Sequence, residues 1–142
     1  MKYPQKIALI FIFSWFAIGG AGHFIAPAFF LKIIPPVLPL RLPAVYISGL
    51  FELLGAAGLL FAVTRRIAGI GLFLLSVAVT PANVYMWRHP ELFPAIAPLL
   101  LMLRLWLQAV LLAVIAWVVF AQRQQEFRFF NIMQGRRQKR RS

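Results

Sequence analysis

Five side chains able to do chemistry stand in stretches that are otherwise almost wholly apolar: His23, Glu52, Asn83, Arg104 and Gln108. A carboxylate, a guanidinium, an imidazole and two amides can grip a small polar head group from several sides, and an imidazole can pass protons near neutral pH. Glu52 is the costliest of them. It is one of three acids in the protein and lies in the middle of the small-residue segment Ser48-Gly49-Leu50-Phe51-Glu52-Leu53-Leu54-Gly55. A charge at the centre of a membrane span costs about 2.5 to 3.5 kcal/mol on insertion scales unless it faces the protein interior and finds a partner. Arg104 is the expected partner, because a buried guanidinium and carboxylate can share two hydrogen bonds while neither is tolerable alone. Such a pair either fixes helix register or forms one wall of a ligand pocket.

The elements that must position these residues follow from composition. Of 142 residues, 62% are hydrophobic and 13% charged, against roughly 45 to 50% apolar and about 25% charged in soluble domains. Ile7 to Leu31, Ile67 to Trp87 and Leu105 to Gln122 carry no Lys, Arg, Asp or Glu, and Leu42 to Thr64 carries only Glu52. With about 20 residues needed per spanning helix, the chain reads as an all-α integral membrane four-helix bundle with spans over about 7–26, 44–63, 67–86 and 98–121. Residues 1–121 form the transmembrane domain and 122–142 a basic tail. There is no cysteine, which excludes disulfides, thiolate metal ligands and iron–sulfur clusters.

The first apolar run contains Gly19-Gly20-Ala21-Gly22, which permits close helix approach, and His23 follows at once. The run reads as a retained first helix rather than a cleaved signal. Pro27, Pro35, Pro36, Pro39 and Pro43 then preclude a regular helix throughout. Phe29, Phe30, Ile33 and Ile34 make this segment too apolar for a free loop, so it is expected to lie in the interface or cap the bundle. Thr64-Arg65-Arg66 is a tight turn, Pro81 is expected to bend the third span, and Pro98 suits the start of the fourth. In the tail, Phe127 to Met133 suits a surface-lying amphipathic segment. The basic end at Arg136, Arg137, Lys139, Arg140 and Arg141 suits attraction to anionic lipid or, more plainly, an unstructured topology anchor.

Eleven of the fifteen Lys and Arg residues fall at the amino end, in the Thr64 turn and in the tail, all on one side of the predicted spans. That bias places both termini in the cytoplasm. Depth then follows from the helical rise of about 1.5 Å per residue: His23 lies roughly 4 to 5 Å below the outer helix ends, Asn83 about 6, Arg104 about 9, Glu52 about 12 and Gln108 about 15. Residues from four spans thus converge in the outer half of the membrane. Asn83, beside Pro81, has a plainer use in satisfying the carbonyls that proline frees. A bis-histidine haem would need His89, the other histidine, in a Pro-bounded loop, and is disfavoured. Phosphate loops, nucleophile triads and metal-ligand clusters are absent from the sequence, and the topological use of the basic residues argues against nucleic acid as a partner.

At Ala21-Gly22-His23-Phe24, Ile34-Pro35-Pro36-Val37-Leu38-Pro39, Glu52-Leu53-Leu54-Gly55, Arg65-Arg66-Ile67-Ala68-Gly69, Pro81-Ala82-Asn83-Val84-Tyr85-Met86 and Leu103-Arg104-Leu105-Trp106-Leu107-Gln108, the chain resembles the DoxX-like family of small four-helix membrane proteins. The resemblance runs in order from about His23 to Gln108, and departs at Trp106, where the family pattern has proline. It implies a multi-pass protein of a bacterial-type inner membrane, working as an accessory or quinone-interacting subunit of a redox or oxidative-stress system and not as a complete enzyme alone. The expected partners are the bilayer and a protein partner or a second copy. An assembly factor for other membrane proteins is the alternative, and a small-solute carrier the third reading.

Overall fold

The computed structural model describes the backbone of residues 3–139 and the side chains of residues 3–119, and every regular element among them is helical. The elements are α1 (Tyr3–Ile25), α2 (Pro27–Ile33), α3 (Arg41–Leu60), α4 (Arg65–Ala78), α5 (Thr80–Arg88), a single 3₁₀ turn (Pro90–Leu92) and α6 (Pro98–Lys139). Four stretches are long and apolar enough to cross a membrane: Tyr3–Ile25, Arg41–Leu60, Arg65–Arg88 and Pro98–Val119. A helix is the natural state for such stretches, since it pairs every backbone polar group within the segment.

Proline sets several boundaries. Pro27 opens α2, where its missing amide proton costs nothing, and Pro35, Pro36 and Pro39 prevent that helix from continuing. The proline-rich segment is therefore one short helix followed by an irregular elbow. At the elbow Leu40 takes a left-handed conformation, with φ 55° and ψ 39°. Arg41 then starts α3, three residues before the predicted boundary. Its Nη2 donates to the carbonyls of Leu31 at 2.5 Å and Ile34 at 2.8 Å, satisfying acceptors at the end of α2. At the opposite end, Thr64 Oγ1 donates to Gly58 O at 2.7 Å and Arg65 Nε to Leu59 O at 2.8 Å, doing the same for α3.

The third span divides where Pro81 predicts a bend, α4 ending at Ala78 and α5 beginning at Thr80. Ser76 Oγ donates to Leu72 O at 2.8 Å and Thr80 Oγ1 to Ser76 O at 3.0 Å. Bonds of this kind back to the preceding turn bend a helix. α6 does not stop near residue 121 as the change in polarity suggests; it continues to Lys139, with neither Pro nor Gly between Pro98 and Gly135 to interrupt it. The basic side chains of Arg136, Arg137, Lys139, Arg140 and Arg141 lie outside the described residues.

Packing runs in a ring: α1 against α3, α3 against α4, α4 against α6, and α6 back against α1. Ile12, Phe16, Leu59, Leu72, Leu111 and Ile115 fill the centre. A second apolar cluster, Ile33, Met86, Phe93 and Leu101, joins α2, α5 and α6 at the elbow end. Near the Thr64 turn α3 and α4 approach through glycine: a Cβ on Gly58 would lie 2.8 Å from that of Ala68, and one on Gly55 would run into Leu72. Large apolar side chains such as Ile18, Leu54, Ile67, Leu74 and Trp106 cover the outside.

Candidate functional site

All five polar residues singled out above line one cavity of about 720 Å³. α1 contributes His23, α3 Glu52, α5 Asn83, and α6 both Arg104 and Gln108. The remaining lining is chiefly apolar, including Phe16, Phe30, Phe51 and Leu111. The cavity lies toward the elbow end, between the central core and the Ile33–Phe93 cluster.

Close backbone approach makes the α1–α3 wall. A Cβ on Gly49 would sit 2.6 Å from the Cβ of His23, and one on Gly19 would sit 2.8 Å from Glu52 Oε2. Gly49 accepts only glycine at this helix separation, whereas a side chain at position 19 would displace the end of the flexible Glu52 side chain. His23 Nδ1 lies 2.9 Å from the carbonyl oxygen of Val45. A carbonyl can only accept, so Nδ1 carries the proton, and in the neutral ring Nε2 presents its lone pair. Nε2 is 3.6 Å from Glu52 Oε1, beyond hydrogen-bond length. No hydrogen bond among the described residues reaches the Glu52 carboxylate, although its side chain is only 13% exposed. Two acceptors therefore converge on one point unless a proton is added to one of them. A ligand hydroxyl or N–H fits that demand.

The opposite wall is a connected network. Arg104 Nε donates to Asn83 Oδ1 at 3.2 Å, Asn83 Nδ2 donates to Gln108 Oε1, and Gln108 Nε2 donates to Ser76 O at 2.8 Å and to Thr80 Oγ1 at 2.6 Å. Gln108 and Ser76 are buried. Asn83 thus turns to α6 instead of covering carbonyls freed by Pro81; the carbonyl of Ser76, close to the break between α4 and α5, accepts from Gln108 and Thr80. Of the Arg104 nitrogens, only Nε has a hydrogen-bond partner among the described residues. Its terminal nitrogens remain available as donors, and Arg104 lines the cavity.

Direct pairing of Glu52 with Arg104 is corrected by this geometry. The ion-pair partner within 4 Å of Glu52 is His23, and Arg104 is held by Asn83. The reason is architectural: α3 and α6 stand diagonally in the ring, with α1 on one side and α4 on the other, so their polar residues face each other across the cavity. His89 is elsewhere, at the end of α5, with Nδ1 2.9 Å from Glu91 Oε1. The cavity does not bring it to His23.

A homologous region takes in the whole of this arrangement. The chain belongs to the DUF8561 family. The family, described as a domain of unknown function, matches residues 12–120, a stretch holding both walls of the cavity. No curated protein and no solved structure matches the chain. Within the DUF8561 region, four contributors escaped the reading of the sequence. Ser76 and Thr80 complete the network; their spacing of four, just before Thr80-Pro81, is the available signal. Phe30 stacks on the His23 ring at 3.9 Å between centroids, and Gly49 admits that ring. Neither is distinguishable in sequence from ordinary apolar or helix-contact residues.

Proposed function

We propose that this is a DoxX-like four-helix membrane protein that binds a small amphiphile with a quinone-like head group, as an accessory subunit of a redox or oxidative-stress system. The observation that carries the reading is the complementary pair of unspent polar groups in one apolar cavity. Glu52 and His23 Nε2 accept from a ligand donor, and the Arg104 terminal nitrogens donate to a ligand acceptor. A quinone or quinol head, with carbonyl or hydroxyl groups on opposite edges of a flat ring, meets both walls at once. His23, stacked under Phe30, also stands where a released proton would be taken up. The distribution of basic residues supports a bacterial-type inner membrane location with both termini cytoplasmic and the cavity in the outer half.

Purification in mild detergent followed by mass spectrometry of the extracted small molecules tests this. A bound quinone-like compound is expected with the natural protein and lost with Arg104→Leu and Glu52→Gln. A cavity that carries nothing, and that takes up no added benzoquinone, overturns it.

A second reading, a non-enzymatic assembly factor or scaffold, is favoured by α6 alone. Its helix runs on for about 20 residues beyond Val119, on the order of 30 Å, a length suited to holding a partner protein. A stoichiometric protein in the same purification, lost on deletion of residues 120–142, supports that use.

A further inference from the structure

The cavity has one wall that does not close. Along the seam between α3 and α4 the helices touch through Gly58 and Gly55 near the Thr64 turn, and from Glu52 onward the cavity separates them. The residues at this opening are cavity-lining and outward-exposed together: Ile47 and Phe51 on α3, 53% and 57% exposed, and Ala78 and Pro81 across from them. All four lie inside the stretches long and apolar enough to cross a membrane, Arg41–Leu60 and Arg65–Arg88. The opening therefore meets acyl chains.

The elbow end is covered where α2 lies over it, while Leu38 and Ala44, exposed and cavity-lining, continue the opening along α3 toward the elbow. Phe30 stacks on His23, Phe29 meets Phe93 edge-on at 5.9 Å between centroids, and Ile33 is buried with Met86, Phe93 and Leu101. A polar solute arriving over α2 would have to displace this cluster, and one arriving beside it would meet the apolar edge formed by Leu38 and Ala44. An entrant through the seam would cross apolar side chains and end among Glu52, His23 and Arg104. Such an entrant has to be apolar along its length and polar at its tip.

Resting on the reading above, we infer that the α3/α4–α5 seam is a lateral portal. Through it a membrane-dissolved amphiphile places its head between Glu52 and Arg104, while its hydrocarbon tail lies across Phe51 and Ala78 into the bilayer. The occupant is a single-tailed, flat-headed amphiphile.

The test measures equilibrium binding of two probes to the full chain in lipid nanodiscs: a benzoquinone carrying a decyl tail, and the same benzoquinone without it. Ala78→Phe narrows the portal from its lipid-facing side, and Ile47→Trp does so from the other, so that one misfolded variant does not decide the result. Each is expected to weaken the tailed probe at least about tenfold more than the tail-less one. Equal weakening of the two probes, or none, overturns the portal while leaving the binding site in place. Arg104→Leu is expected to weaken both probes alike. If it changes neither, or if the natural protein binds neither, the underlying head-group reading fails and the portal with it.

Discussion

The two ends of the α3–α4 seam differ although the same pair of helices makes both. Near the Thr64 turn, Gly58 lies against Ala68 and Gly55 against Leu72, and Leu59 and Leu72 are fully buried. Two turns further along, Glu52 and Ser76 face a cavity of about 720 Å³ instead of each other. In lipid the hydrophobic effect does little to hold helices together, so close glycine packing must supply the cohesion. The difference teaches that this protein concentrates cohesion at one end of the seam, which frees the other to carry polar groups that a uniformly packed interface would exclude.

Replacing Gly58 by Leu should have the largest effect on that division. Its Cβ would lie 2.8 Å from that of Ala68, and overpacking of this kind costs about 1 to 3 kcal/mol. Thermal unfolding in detergent should show a marked loss. Gly71 supplies the contrast: nothing lies within 4 Å of a Cβ there, so Gly71→Ala should be neutral or gain up to about 1 kcal/mol from helix propensity. If both substitutions destabilise alike, close approach is not what the glycine end provides.

At the polar end, Gln108→Leu should rank next. It removes the donor to Ser76 O and Thr80 Oγ1 and the acceptor for Asn83, and stranded buried polar groups cost about 1 to 3 kcal/mol. Glu52→Gln should differ in kind. No hydrogen bond holds its carboxylate, so its unfolding temperature should move little, with a change under about 1 kcal/mol, while probe binding falls. A Glu52→Gln variant as unstable as Gln108→Leu would make the acid part of the scaffold.

The smallest effect lies outside the seam, at the His89–Glu91 pair. A hydrogen bond from the backbone, and then one from His89, hold the Glu91 carboxyl below its ordinary value of 4.5. A depressed folded value means that the contribution is present above 4.5 and is lost as pH falls through the folded value. The group is fully exposed, so wild-type and Glu91→Gln unfolding curves should differ slightly at neutral pH and coincide in strong acid.

The spans were legible because charge-free runs of about 20 residues have few other uses, and the bend at Thr80-Pro81 because proline withholds an amide proton. Convergence of His23, Glu52, Asn83, Arg104 and Gln108 on one cavity was legible from helix rise alone, since depth along a span is linear in residue number. Rotation about each helix and the order of helices in the ring are not linear in anything the sequence displays. For that reason Arg104 could be assigned to the same site as Glu52 and still be given the wrong partner. The apolar stretch of α6 ends at Val119, near the expected end of the span, while the helix runs on, because hydropathy marks where apolar character stops and a helix rich in Gln and Arg need not stop with it.

Gly19 decides where the acid of the site can lie. The Glu52 carboxylate lies against its bare backbone, with His23 beside it and the Glu52 Cβ pressed toward Gly20. The carboxylate occupies space beside α1 that a methyl group at position 19 would take from it. The acid's place beside His23 depends on the absence of a methyl group on the neighbouring helix.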